Sequence, residues 1–250
     1  MATKEQDPTQ QGKNRSNALS KIDSFEQDAY AILDDWVANE PRDSNALEFS
    51  IMALLFSSGN FFLNSNIESA MRSGVFGASR DAEQELSKAL GASGVSGFYD
   101  PTFTLSSDDY RSTLSAYQEG TQEAIQGNVS TYVAQIAALV ALGLANKRPL
   151  NELIADARDR IRVMKVRITQ GVVTGINQGL NASVMLATEA MASAIGKKPM
   201  VEHLSALLPT TRAHHASRHK RIYTVQQQRE WWSKGANRIN CYCVAKPHFK

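Results

Sequence analysis

The sequence predicts a mainly α protein: an elongated helical N-terminal part containing a long antiparallel helical hairpin, followed by a small α+β module. Three observations carry that expectation. Apolar residues recur every three or four positions through most of the first 195 residues. Two of the periodic stretches are long and are separated only by Asn146-Lys147-Arg148-Pro149. After Gly196 the periodicity gives way to short mixed segments, and the charge changes sign. The expected organisation is a disordered tail over 1–19, a helical domain over 20–195 and a basic α+β module over 196–250.

Residues Met1 to Leu19 are rich in Gln, Lys, Asn, Ser and Thr and have almost no apolar period, the composition of a mobile tail. Ile22, Phe25, Ala29, Ile32 and Trp36 then form the stripe of an amphipathic helix that Pro41 terminates. Asp43-Ser44-Asn45 offers N-cap residues for a second helix through Leu47, Ile51, Leu54 and Leu55, with Gly59 at its end. A third runs from about Asn66 to Leu90. Gly91 to Ser106 has the glycine and proline density of an interhelical loop, and Ser107-Asp108-Asp109 caps the next helix. That helix keeps its spacing through Tyr110, Leu114, Ile125, Val133, Ile136, Val140 and Leu144. From Leu150 the stripe Leu153, Ala157, Ile161, Met164, Ile168, Val172, Ile176, Leu180, Val184 persists to Gly196, a helix of about 69 Å at 1.5 Å per residue. A helix this long needs partners along it, and folding back on its predecessor across the Asn146–Pro149 turn is the simplest arrangement. Its polar face, carrying Arg158, Arg160, Arg162, Lys165 and Arg167 and later Gln170, Thr174, Asn177 and Asn181, reads as solvated.

The net charge of +2 conceals an asymmetry: Gly196–Lys250 holds eleven Lys and Arg against Glu202 and Glu230, or +9, which leaves −7 for the rest. All five histidines lie in the basic part. Opposed charge blocks point to two partners or two tasks. The longest apolar runs, Ile51–Phe56 and Val133–Ala145, fall short of the roughly 20 residues of a membrane span. No secretory pattern opens the chain, so a soluble protein in a reducing compartment, with no membrane partner, is expected.

Within the module, Val201 to Leu208 is a short apolar run, Val225 to Ser233 a short helix bearing Trp231 and Trp232, and Arg238 to Val244 a closing strand. Cys241 and Cys243, two residues apart on a strand, point to one face. His215 and His219, at i and i+4, share a face if that stretch is helical. Together they form a Cys2His2 set, and zinc prefers four such ligands in structural sites. The alternative is that both cysteines pack as small buried side chains, with Arg212 and His215 bonded to backbone turns. A disulfide between the two would close a strained small ring.

The order Thr211-Arg212-x-x-His215-x-x-x-His219, a Trp-bearing helix and terminal Asn240-Cys241-x-Cys243 resembles the phage Mu F-like minor head proteins, over roughly residues 160–244. Members of that family lead into the motif from a long helix with a polar pattern, here Thr169, Gln170 and Asn177. They often carry a glycine where Lys220 stands, an arginine where Tyr242 stands, and an acidic residue shortly before the Thr-Arg pair, where this chain has Leu208-Pro209-Thr210. The resemblance implies a non-enzymatic virion component, made in the host cytoplasm and bound at the portal vertex in several copies. Such a protein aids head assembly or genome packaging and is sometimes ejected with the DNA. Its implied partners are the portal protein and the major capsid protein.

The charge of the module, with aromatic residues interleaved, further suggests non-specific binding of double-stranded DNA through Lys197, Lys198, Arg218, Lys220, Arg221 and Arg238. The competing reading is a metal-dependent nuclease or an injected effector enzyme built on the histidine cluster. Such enzymes usually hold their cation with carboxylates, and neither Glu202 nor Glu230 stands beside the histidines in sequence.

Overall fold

A computed structural model describes residues 9–39, 60–90 and 99–249. The elements are α1 (Thr9–Asn39), α2 (Asn60–Leu90), α3 (Pro101–Ser106), α4 (Asp108–Ala145), α5 (Leu150–Ala194), β1 (Met200–Leu204), α6 (Ala213–Ala216), β2 (Arg221–Thr224), α7 (Val225–Ser233) and β3 (Val244–His248). The chain is mainly α with a small sheet at its C-terminal end, the expected class. α1 begins eleven residues earlier than expected, so the described part of the predicted tail is helical. The helix predicted from Ser44 lies outside the described residues.

The chain forms two compact units. Of the described residues, one unit holds 9–15, 66–90, 99–119 and 173–249, and the other holds 16–39, 60–65 and 120–172. In the second unit, α1 buries Ala18, Ile22, Phe25, Ala29 and Leu33, α4 buries Val129, Val133, Ile136 and Val140, and α5 buries Leu153, Ala157, Ile161, Met164 and Ile168. These are 3.6-residue stripes meeting one another. The predicted hairpin is present. Arg148 N–H donates to Gly143 O (2.9 Å), and Lys147 takes a left-handed conformation in the turn (φ 54°). Gly143 faces Leu153 and, farther from the turn, Gly171 faces Ile125, the paired order of antiparallel helices.

The basic face of α5 is solvated as predicted at Arg158, Arg160, Arg162 and Arg167, with Lys165 half-buried. Lys165 Nζ bridges Asp23 (2.7 Å) and Glu26 (2.6 Å) on α1, and Arg158 reaches Asp34 (2.6 Å). The Arg158 pair is half exposed and contributes at most about 1 kcal/mol. By length and composition α4 alone among the described helices could cross a membrane: an 18-residue window has mean hydropathy 1.5, a third of it buried. Its buried valine and isoleucine stripe matches packing inside the unit.

In the first unit, α2 contributes Ile67, Ala70, Met71, Val75 and Ala78, and α5 contributes Ile176, Leu180, Val184 and Met191. The two helices approach closely at Gly74, where a Cβ would stand 2.2 Å from Ser183 Oγ and 2.8 Å from the Leu180 carbonyl. The same unit holds the antiparallel sheet, ordered β2-β1-β3, with His203 of the central strand opposite Arg221 and Ala245. Pro247 sits on the edge strand β3, where a missing N–H is tolerated. The predicted helix over Val225–Ser233 is observed with those bounds. A capping box starts it: Gln227 N–H donates to Thr224 Oγ1 and Thr224 N–H to Gln227 Oε1. The closing strand, predicted over Arg238–Val244, instead spans Val244–His248, and the cysteines precede it.

Since the Leu180 carbonyl cannot retreat without bending α5, Gly74→Ala should destabilise the protein by about 1–3 kcal/mol through overpacking. Gly77, with open space around it, is the control: Gly77→Ala should stabilise by up to about 1 kcal/mol, both read from urea denaturation.

Candidate functional site

The segment Asn240–Cys243 is irregular backbone, yet Cys241 and Cys243 are buried (3% and 4% exposed). Buried peptide groups need partners, and α5 supplies them. Asn177 Nδ2 donates to the Cys241 carbonyl (2.7 Å) and Asn181 Nδ2 to the Cys243 carbonyl (2.9 Å). Asn181 Oδ1 accepts from Ala245 N–H (2.8 Å), and Thr174 Oγ1 accepts from Asn240 N–H (2.9 Å). The later half of the α5 polar face, predicted to be solvated, is therefore an internal fastening: Asn177 and Asn181 are each 1% exposed. Asn240 sits at φ 49°, a left-handed conformation that asparagine adopts readily.

Arg212 fastens the other side of the segment, its two Nη groups donating to Ala236 O (2.7 Å) and Ile239 O (2.9 Å). Thr211 N–H closes a turn on Leu208 O. The short α6 that follows carries His215 inward, with Nδ1 3.3 Å from Cys243 Sγ and 3.4 Å from Cys241 Sγ. His203 completes the cluster from β1: ligand atoms of His203, His215 and Cys243 all lie within 4.8 Å of one another, and all three residues are buried.

The predicted partnership of His215 with His219 is not made. α6 ends at Ala216, so the two residues are not one turn apart on a helix, and His219 Nδ1 instead accepts from Ser205 N–H (3.2 Å). His203, absent from the ligand set expected on sequence grounds, takes the place of His219. The available signal was the alternation Val201, His203, Ser205 on one face of a strand, all buried.

The electrostatics favour the ligating form at Cys241 and at both imidazoles, but not at Cys243. The thiol of Cys243 donates to Cys241 and, with the Cys243 N–H, the Trp232 indole and Arg212, holds Cys241 below the ordinary thiol range. Cys243 is correspondingly pushed up. Burial first, then Arg218, pushes His203 down to about 4; burial first, then Arg212 and His214, does the same to His215. Both imidazoles are neutral at pH 7, the form that ligates metal. The Nε2 atoms of both are buried without a hydrogen-bond partner. His203, His215 and Cys243 form a group that could hold a metal ion, and Cys241 Sγ adjoins it at His215 Nδ1.

Among the predicted cationic contacts, Lys197, Lys198, Lys220, Arg221 and Arg238 are exposed. Arg218 is engaged inside the module: its guanidinium lies 3.7 Å from the Tyr223 ring centre and 4.3 Å from that of Trp231, and it donates to Gln228 Oε1 (3.0 Å). Trp232 is 3% exposed, and Trp231 packs edge-on to His203 and His215. No protein-family model, curated protein or solved structure matches the chain.

Asn181→Ala should destabilise by about 2–4 kcal/mol, because it strands one buried carbonyl and one buried N–H; guanidinium unfolding measures it. Acid should also weaken the metal-free module. Depressed folded-state values mean that the stability from neutral His203 and His215 is complete above the unfolded value near 6.5 and is lost as pH falls toward 4. Each contributes on the order of 3 kcal/mol over that window, so the Trp fluorescence midpoint should fall steeply between pH 6.5 and 4 in chelator.

Proposed function

We propose that this chain is a phage minor head protein, a low-copy virion component bound at the portal vertex, whose basic C-terminal module is stapled by zinc. The observation that carries the reading is the use made of the shared motif. Arg212, His215, Asn240, Cys241 and Cys243 converge on one junction, buried at His215, Cys241 and Cys243, where they fasten the C-terminal segment to α5 and to one another. A motif devoted to internal fastening suits a building block of an assembly. Lys220 lends separate support: it has φ 61°, the left-handed region that favours glycine, at the position where the resembled family often carries glycine.

Zinc as the metal follows from the donor chemistry. Two thiols and neutral imidazoles in a dry pocket match a closed structural site, whereas a catalytic ion needs an open position for water. A tetrahedral site with these ligands has N···S edges of about 3.6 Å, close to the 3.3 and 3.4 Å between His215 Nδ1 and the two sulfurs. The exposed Lys197, Lys198, Lys220, Arg221 and Arg238 would meet double-stranded DNA without sequence preference, while the portal and major capsid proteins are the protein partners.

In heads assembled from the genome that encodes the chain, quantitative mass spectrometry should find it far below the shell subunit in abundance and crosslinked to the portal. Heads without it would sink the proposal. For the DNA interaction, reversing Lys197, Lys198, Arg221 and Arg238 to Glu together should flatten the plot of log Kd against log salt by about 0.9 for every phosphate left without its cation, and an unaltered slope would rule DNA out as a partner.

A further inference from the structure

We infer that His203 is the fourth zinc ligand, bound through Nε2, and that Gln228, backed by Arg218, holds metal-free His203 in the tautomer that cannot bind, so that its carboxamide must turn for zinc to enter. The inference rests on the zinc reading above and adds to it the ligand and the switch. Of the two nitrogens of His203, Nδ1 is engaged, 3.0 Å from Gln228 Nε2, while Nε2 is buried and unpartnered in a pocket that also holds His215 and Cys243. Only Nε2 is therefore free to turn toward a cation. The 4.8 Å limit on His203, His215 and Cys243, set against an edge of about 3.6 Å, means that bringing these three onto one ion needs a shift on the order of 1 Å.

The obstacle to ligation is the proton, and its location follows from a chain of contacts. Arg218 is held between Tyr223 and Trp231 and has only donors, so the Gln228 atom facing it is Oε1 and the atom facing His203 is the amide nitrogen. An amide N–H donating to Nδ1 leaves the imidazole proton on Nε2. That tautomer has no lone pair for zinc at Nε2. Ligation therefore requires the proton to leave Nε2 and reside on Nδ1, with Gln228 turning its carbonyl oxygen toward the ring. Ligating histidines almost always donate their second N–H in this way, and the acceptor tunes affinity. A carboxylate at position 228 would accept from Nδ1–H with one oxygen and from Arg218 with the other, removing the conflict. Gln228 is 0% exposed and packed between these two groups, so the replacement is nearly isosteric.

Full-length chain is tested with Zn(II) in competition with a chromophoric chelator, with Co(II) spectra reporting coordination number. The wild type should bind one equivalent of zinc, and long-range proton–nitrogen spectra should show His203 passing from the Nε2–H to the Nδ1–H form on loading. Gln228→Glu should tighten binding about tenfold or more. His219→Ala should bind within about threefold of wild type, while His203→Ala should bind far more weakly or lose the four-coordinate cobalt spectrum. Zinc binding that survives His203→Ala unchanged, weakens tenfold in His219→Ala, or leaves the His203 tautomer as it was would overturn the assignment of His203 while leaving zinc in place. Less than about a tenth of an equivalent on the wild type would instead remove the zinc reading and this inference with it.

Discussion

The buried carboxamides of Asn177 and Asn181 are the constraint on which the C-terminal third of the molecule depends. A segment without regular structure can be taken out of water only if its peptide groups find partners, and Asn240–Ala245 has no strand neighbour until β3 begins at Val244. The long helix meets that requirement with side chains one turn apart, which rise along α5 in step with the alternate carbonyls of Cys241 and Cys243. Once those carbonyls are anchored, both thiols are directed to the same buried side. His215 is then held against them by Arg212, which ties the start of α6 to the carbonyls of Ala236 and Ile239. The compact unit runs across residue 196 for the same reason: the junction between helix and module is a hydrogen-bonded interior rather than a linker.

The periodicity of the long helices was legible because apolar burial repeats every three or four residues and little else in the sequence competes with it. The stripe from Leu153 to Val184 and the turn at Asn146–Pro149 translate directly into α5 and its hairpin with α4. α7 was equally readable, observed with the predicted bounds Val225–Ser233. The metal cluster was legible only in part. Cys241, Cys243 and His215 could be grouped by type, but the fourth member depended on whether Ala213–Lys220 stayed helical, and it does not. That His203 rather than His219 lies beside His215 and Cys243 is a tertiary matter, set by the register of β1 against β2 and β3. Asn177 and Asn181 show the complementary failure. On a helix wheel they extend the polar face begun by Arg158 and Arg162, and nothing local distinguishes an asparagine that meets water from one that meets a buried carbonyl.

The charge of the module divides along similar lines. Arg212 and Arg218 are exempt from any outward task, because their planar guanidinium groups are used as forks and stacking plates between carbonyls and aromatic rings. Lysine could not reproduce either arrangement. Lys197, Lys198, Lys220, Arg221 and Arg238 remain exposed and account for the module's external field. Counting cations in sequence adds the two populations together, whereas only the second is available to phosphates or to an acidic protein face.

Burial also argues for what the cluster does. A nucleophile or a hydrolytic metal must present an open side to its substrate, whereas His203, His215, Cys241 and Cys243 are all below 5% exposed, with His203 and His215 packed against Trp231. Such a setting favours permanent ligation over turnover. The sheet has three short strands and one packed helix, so its apolar core is small for the charge it carries, and small modules of this kind gain most from a metal that joins distant segments. Under the zinc reading, the segments joined would be β1, α6 and the strand-leading loop. Under the same reading, His203 on the central strand would tie the metal to the one element hydrogen-bonded to both of its neighbours.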